Sequence, residues 1–282
     1  MRRVKLAWPR PARHNHYMYA SVAPRIVVPA QRTARSSAVA ALFVNECERD
    51  MPGVALPRPE VQLVVRFGTM TRRGLDAHAM GGRESVHRKL LPGGLRVVTA
   101  RLQLGTAEAV LGVPASAIAG RIVTLEDLWG QAPTQRLFAR LAHSRTPAEA
   151  STELESAISE RFASSRVDGA RTRLVLAAAD QLARGDARSG VSAVASELGV
   201  SERHLRRLFR ESTGVSPKAF AKITRFRRAL HAAREHSEPS WANIAAAAGY
   251  YDQAHLIGEF RTIAGVTPRA LLLELRAAHA FG

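Results

Sequence analysis

Among 282 residues there is one cysteine, Cys47. A single thiol excludes an intrachain disulfide and a thiolate metal cluster. Aromatic residues make up only 6% of the chain, and no run approaches the roughly 18 consecutive apolar residues of a membrane helix. The basic N-terminus is interrupted by Pro9, Pro11 and Arg13 before any signal-peptide core, so the chain is expected to stay in the cytoplasm, away from membranes. Acidic residues are scarce too: 24 Asp and Glu stand against 41 Lys and Arg, a formal charge of +17. That balance favours a polyanionic partner. The basic residues are spread along the chain, so charge alone does not locate the contact. A Walker-type phosphate loop, a GxSxG turn, HExxH and CxxC are all missing. Glu126 and Asp127 adjoin, but neighbours on a helix diverge, so they read as first-turn acids. His14 and His16 lack a third ligand at plausible spacing and read as loop histidines. No catalytic residue, metal ligand or cofactor is expected.

What is present is a duplication. VSAVASELGVSERHLRRLFRESTGVSP, from Val191, is followed after a basic spacer by WANIAAAAGYYDQAHLIGEFRTIAGVTP, from Trp241. By subtraction, Phe209 and Phe260, Gly214 and Gly265, and Pro217 and Pro268 are each 51 residues apart, whereas Gly199 and Gly249 are 50 apart. One copy therefore has an extra residue in its turn, as expected of a repeated supersecondary unit. Each copy reads as helix, turn, helix. In the first, Val194, Ala195 and Leu198 form an apolar face, Gly199 ends the helix and Ser201 caps the next. Leu205, Leu208 and Phe209 must face a core, which turns Arg203, Arg206, Arg207 and Arg210 outward. A cationic helix of this kind fits the major groove of DNA, where Arg bonds guanine and its neighbours neutralise phosphate. In the second copy Trp241 reads as a core anchor.

The C-terminal third, roughly Arg171 to Leu275, resembles the DNA-binding domain of the AraC/XylS family of bacterial transcription regulators. The repeat, the GVSP and GVTP endings and the GYYDQAHLIGEFR stretch carry the resemblance. It implies two helix-turn-helix units joined by a long helix and reading two successive major grooves. It also places Arg203, Arg206 and Arg207 at base-reading positions of the first unit, and Gln253, His255 and Gly258 at those of the second. Gly258 departs from the family, which usually has Arg or Lys there, and weakens the second unit. Ser201, Arg210, Arg225, Arg228 and Arg261 are assigned to phosphate. The spacer helix from Pro217 has an apolar stripe of Phe220, Ile223, Phe226 and Leu230, with Lys222, Arg225, Arg227 and Arg228 facing water or phosphate. Some 20 residues at about 1.5 Å each span roughly 30 Å, near one turn of DNA.

Upstream, Met1 to Pro59 is rich in Arg and Pro; Ser37 to Cys47 reads as a short helix, and Pro52 to Glu60 as an irregular linker. Cys47 lacks the flanking chemistry of a reactive thiol. Val61 to Gly68 and Leu95 to Leu104 are clear strands, with one or two short strands between them. From Gly105 the period becomes helical, and Thr146-Pro147 with Glu149 starts one helix. Gly105 to Gly130 resembles an N-terminal domain of unknown role found in a subset of AraC-like regulators.

The expected fold is α+β: a small β-containing N-terminal domain with a helical segment, then an all-α domain of two helix-turn-helix units joined by a long helix. The expected division is a poorly defined segment 1–59, a sensor or partner domain 60–163, and a DNA-binding domain 170–276. The expected function is sequence-specific transcription regulation on double-stranded DNA, in the bacterial nucleoid. An unknown small-molecule effector in the N-terminal domain, contact with RNA polymerase and a homodimer are compatible with it. Two alternatives stay open: a nonspecific nucleoid protein, and an enzyme or small-molecule binder with a structural helical tail.

Overall fold

The computed structural model describes residues 38–281 apart from 69–70, 72–73, 167 and 186–189; His14 and His16 lie outside the described residues. The described residues open with strands β1 (Val39–Cys47), β2 (Met51–Ala55), β3 (Gln62–Phe67), β4 (Leu75–Met80), β5 (His87–Leu91) and β6 (Leu95–Leu102). Two expectations are corrected here. Of the stretch read as a short helix, Val39–Cys47 is a strand, because β1 pairs with β6 from Phe43 opposite Thr99 to Cys47 opposite Leu95. Pairing with a strand far away in sequence overrides the helix preference of its alanines. The stretch read as a linker begins inside β2, which is antiparallel to β5. The β-structure thus starts about twenty residues before position 60.

A short strand, β7 (Ile122–Thr124), completes an antiparallel sheet of order β1-β6-β3-β4-β7. Helices α1 (Ala107–Leu111), α2 (Leu125–Trp129), α3 (Gln131–His143) and α4 (Pro147–Ser164) cover one face of it. Leu63, Val65, Val98 and Ala100 from the sheet meet Val110, Leu125, Leu154 and Ile158 from the helices in one core. The start of α4 follows the sequence reading: Thr146 accepts a hydrogen bond from the Glu149 backbone, and the Glu149 carboxylate accepts one from the Arg145 backbone. This pair of bonds satisfies one helix-end donor, the Glu149 N–H, and ties down the residue entering the helix.

The remainder is helical: α5 (Gly169–Arg184), α6 (Val191–Glu197), α7 (Glu202–Thr213), α8 (Pro217–Arg234), α9 (Trp241–Ala248), α10 (Gln253–Ala264) and α11 (Pro268–Ala277). A last strand, β8 (His279–Phe281), runs parallel to β2. These helices form two cores. Val175, Val194, Leu205, Phe209 and Phe220 build the first, and Phe226, Ile244, Leu256, Phe260 and Leu271 the second. Trp241 packs edge-on to Phe260, 6.2 Å between ring centres, as a core anchor should.

The N-terminal part enters both cores. Val54 belongs to the second, with Leu56 and Val86 packed against it, and Leu104 packs against the first. Backbone N–H of Val86 donates to the Ile263 carbonyl at 2.9 Å, and Arg88 pairs with Glu274 at 2.8 Å. A 3-10 turn at Ala115–Ile118 packs on the C-terminus of α7. There Gly214 takes φ 84°, and a Cβ would stand 3.1 Å from the Ala115 carbonyl oxygen.

Two predictions follow from these contacts. Gly214 and Gly265 both end helices with positive φ, but nothing lies within 4 Å of a Cβ at Gly265. Gly265→Ala should cost about 1 to 2 kcal/mol for the left-handed backbone alone, and Gly214→Ala more; urea unfolding of the two variants measures the difference. Buried His78 has its pKa lowered to about 4, by burial first and then by Arg66, against the raising effect of Asp76. The unfolded chain, with an ordinary histidine near 6.5, binds the proton more readily. Stability from this group is therefore present above about pH 6.5 and lost as pH falls towards 4. His78→Asn should flatten that part of the pH–stability curve, read by urea unfolding in steps between the two values.

Candidate nucleic-acid interface

Helix α7 begins at Ser201, whose hydroxyl accepts from the His204 backbone at 3.2 Å. Leu205, Leu208 and Phe209 are buried and fix its rotation. Arg203, Arg206, Arg207 and Arg210 are exposed, and at 3.6 residues per turn they fall within an arc of about 100°. Arg206 contacts Glu202 at 2.5 Å, an exposed pair one turn apart that holds its guanidinium on the helix surface. The exposed side of α7 is thus a row of guanidinium groups beside a capped N-terminus, suited to bases and phosphates.

Helix α10 is built the same way, with Asp252 accepting from the His255 backbone at 2.7 Å and Leu256, Phe260 and Ile263 buried. The offset of 51 residues aligns Ala254, Ile257, Gly258 and Arg261 with Arg203, Arg206, Arg207 and Arg210. The second surface is therefore almost uncharged, and the environment of Gly258 is open, with nothing within 4 Å of a Cβ.

Three assigned residues have partners within the protein. His255 answers to His204, not to an arginine. Its Nδ1 accepts from the Tyr251 backbone, its ring lies edge-on to Tyr250, and it sits about 160° around the helix from Gln253. Its side chain is 38% exposed, with Nε2 4.0 Å from the Glu259 carboxylate, and it braces the start of α10. Arg225 is not a phosphate ligand: its side chain is 11% exposed and pairs with the 8% exposed Glu259 at 2.8 Å, over the Tyr250 ring. Arg228 donates to the carbonyls of Ala183 and Ala248, tying α5 and α9 to α8. Arg227, read as facing water or phosphate, lies 3.9 Å from Glu60. Of the proposed DNA contacts, Ser201, Arg203, Arg206, Arg207, Arg210, Gln253 and Arg261 remain exposed.

Tyr251, 72% exposed immediately before the Asp252 cap, was not singled out by sequence. The Tyr250-Tyr251 doublet offers one buried and one exposed ring.

A family model described as a helix-turn-helix domain matches residues 194–273, a stretch that includes α7 and α10. This C-terminal region is an AraC-type helix-turn-helix domain. No curated protein sequence matches the chain. Among solved structures, the chain is similar to ToxT from Vibrio cholerae, at 12% identity over 82% of this chain and 96% of that one, with a TM-score of 0.40. The chain is also similar to a DNA-binding transcriptional dual regulator from Escherichia coli, at 26% identity over 37% of this chain and 89% of that one, TM-score 0.30. It is likewise similar to the DNA-binding domain of AdpA, a global transcriptional factor solved with a target DNA, at 27% identity over 38% and 93%, TM-score 0.32. These TM-scores carry no weight for function, which rests on the family match and the geometry.

Two substitutions separate the structural from the DNA-facing residues. Arg225→Ala leaves the Glu259 carboxylate buried without its ion partner and should cost about 3 to 5 kcal/mol in urea unfolding. Gly258→Ala should stabilise the fold by up to about 1 kcal/mol, because its Cβ enters open space in a helix interior.

Proposed function

We propose that this protein is a sequence-specific transcription regulator that lays α7 and α10 of its AraC-type domain into two successive major grooves. In this reading Arg203, Arg206 and Arg207 read bases in one groove, with Gln253 as the polar reader in the other. Ser201, Arg210 and Arg261 bind phosphate. The observation that carries it is the repeat: two capped helices with exposed outer faces, seated on one connecting helix of 18 residues, or about 27 Å. The units unequally share the work, since α7 presents four arginines where α10 presents Ala254, Ile257, Gly258 and Arg261. The first unit supplies most of the affinity, and the second favours apolar contact such as a thymine methyl.

The residues from Ala38 to Ser164 form the receiving unit of this proposal, and those from Asp168 onward the DNA-binding unit. A signal in the first reaches both reading helices through the 3-10 turn on α7 and the Val86–Ile263 contact at the end of α10. The protein acts in the cytoplasm, where its operator is.

Arg206→Ala tests the assignment. The variant should lose about 1 to 3 kcal/mol on the best site and relax discrimination at one base position. Arg261→Ala should weaken binding to all sequences alike and reduce the salt dependence by about one phosphate. Gel-shift titrations at two salt concentrations, with competing random DNA, read both. A uniform loss for Arg206→Ala would make it a phosphate contact, and wild-type binding unaffected by sequence would indicate a nonspecific nucleoid protein.

A further inference from the structure

A second cationic group lies at the junction of the two halves of the chain, where Arg58 is buried and Arg83, Arg101 and Arg227 are half-buried. Arg58 and Arg83 oppose each other through reciprocal backbone hydrogen bonds of 2.9 and 2.7 Å. This bridge sits on the end of the first helix-turn-helix unit: a Cβ on the adjoining Gly82 would stand 3.2 Å from the Thr213 carbonyl oxygen and from Val215. Arg101, on β6 across from Gln62 on β3, has its guanidinium over the Phe43 ring of β1, 5.4 Å from the ring centre. Arg227 comes in from α8, 3.9 Å from Glu60. Sheet, bridge and α8 thus bring four guanidinium groups and one carboxylate to the junction of the two halves of the chain.

The group is poorly satisfied from within. Arg58 is only 5% exposed, and its Nε and one Nη have no hydrogen-bond partner. The Nε of Arg101 and one carboxylate oxygen of Glu60 are buried without hydrogen bonds as well. Burial, then the positive charges of Arg227, Arg101 and Arg83, pull the Arg58 pKa down to about 9, with Glu60 opposing. Four arginines stand against one glutamate here, and Arg58 is the least solvated of them. A buried charge without a partner is costly, and buried donors in folded proteins are otherwise almost always satisfied. Guanidinium groups are matched in geometry by oxyanions, which accept two parallel N–H bonds from each fork.

We propose that Arg58, Arg83, Arg101 and Arg227 form a binding site for a small oxyanion carrying at least two negative charges, a phosphate group or a dicarboxylate. Because Arg227 belongs to the helix that joins the two reading units, the bound anion clamps the N-terminal half onto α8. Without it, mutual repulsion of the arginines loosens that junction. The regulatory consequence rests on the transcription-regulator reading; the binding site itself does not.

Thermal unfolding of the full chain, without DNA, tests the site. Inorganic phosphate and malonate are titrated separately, with chloride replacing them at constant ionic strength. The wild type should show a saturable rise in Tm, on the order of 5 °C at about a hundredfold excess over half-saturation. Whichever anion acts at lower concentration identifies the class. Arg58→Gln, which removes a buried unpartnered charge, should be at least as stable as the wild type in chloride and show no saturable rise. Arg227→Gln should also lose it, and serves if Arg58→Gln does not fold. No rise beyond chloride with either anion, or a full rise retained in a folded variant, would overturn the site. Failure to bind DNA while the Tm response is present would count against the regulator reading alone.

Discussion

Helix α8 is a wall shared by two cores, and its rigidity sets where both reading helices stand. Its N-terminal half gives Phe220 to the core of the first helix-turn-helix unit; its C-terminal half gives Phe226, Ala229, Leu230 and Ala233 to the second. Phe209 of α7 meets Phe220 at 5.2 Å, and Phe260 of α10 meets Phe226 at 4.4 Å. The Arg225–Glu259 pair adds a polar lock between α8 and α10. A buried pair of this kind contributes little net stability but admits few alternative registers. One uninterrupted helix from Pro217 to Arg234 therefore serves as spacer for both readers.

The N-terminal half does not hang from this frame by a free linker. It places Val54 in the second core, packs Leu104 on the first, and pairs β2 with the C-terminal β8. Arg171 on α5 reaches Glu211 on α7 at 2.9 Å and Glu108 on α1 at 3.7 Å. A displacement of the α/β half would be felt at both units, because packed interfaces respond by switching arrangement more readily than by stretching. The inward arginines gather on this same junction.

Sequence made the helical half legible because its signals are local. The Ser201 cap, the Gly199 stop, the Pro217 helix start and apolar positions three and four apart each carry their own physical cause. Strands β3 and β6 were legible as β-branched runs. Strand β1 was not, since VAALFV suits helix or strand, and the choice is made by β6, some fifty residues away. The errors in the candidate interface have a different origin. Periodicity assumes one buried face per helix, whereas α8 touches α5, α7, α9, α10 and α11. With so many neighbours Arg225, Arg227 and Arg228 had to find internal partners. His255 answers to His204 at the 51-residue offset, a match that the base-reading position implied by the resemblance passes over. Arg58 and Arg83 are 25 residues apart by subtraction, and only the bridge between them makes a cationic cluster of two scattered arginines.

The central claim is geometric: two unequal readers held one helical turn apart along the same duplex. Selection of bound sites from a random DNA pool, using the full chain, measures it most directly. The account predicts two enriched blocks with centres about 10 base pairs apart, one strongly specified and containing guanine, the other weaker and rich in A·T. A single isolated block, blocks at variable spacing, or a pool that never departs from random would contradict it.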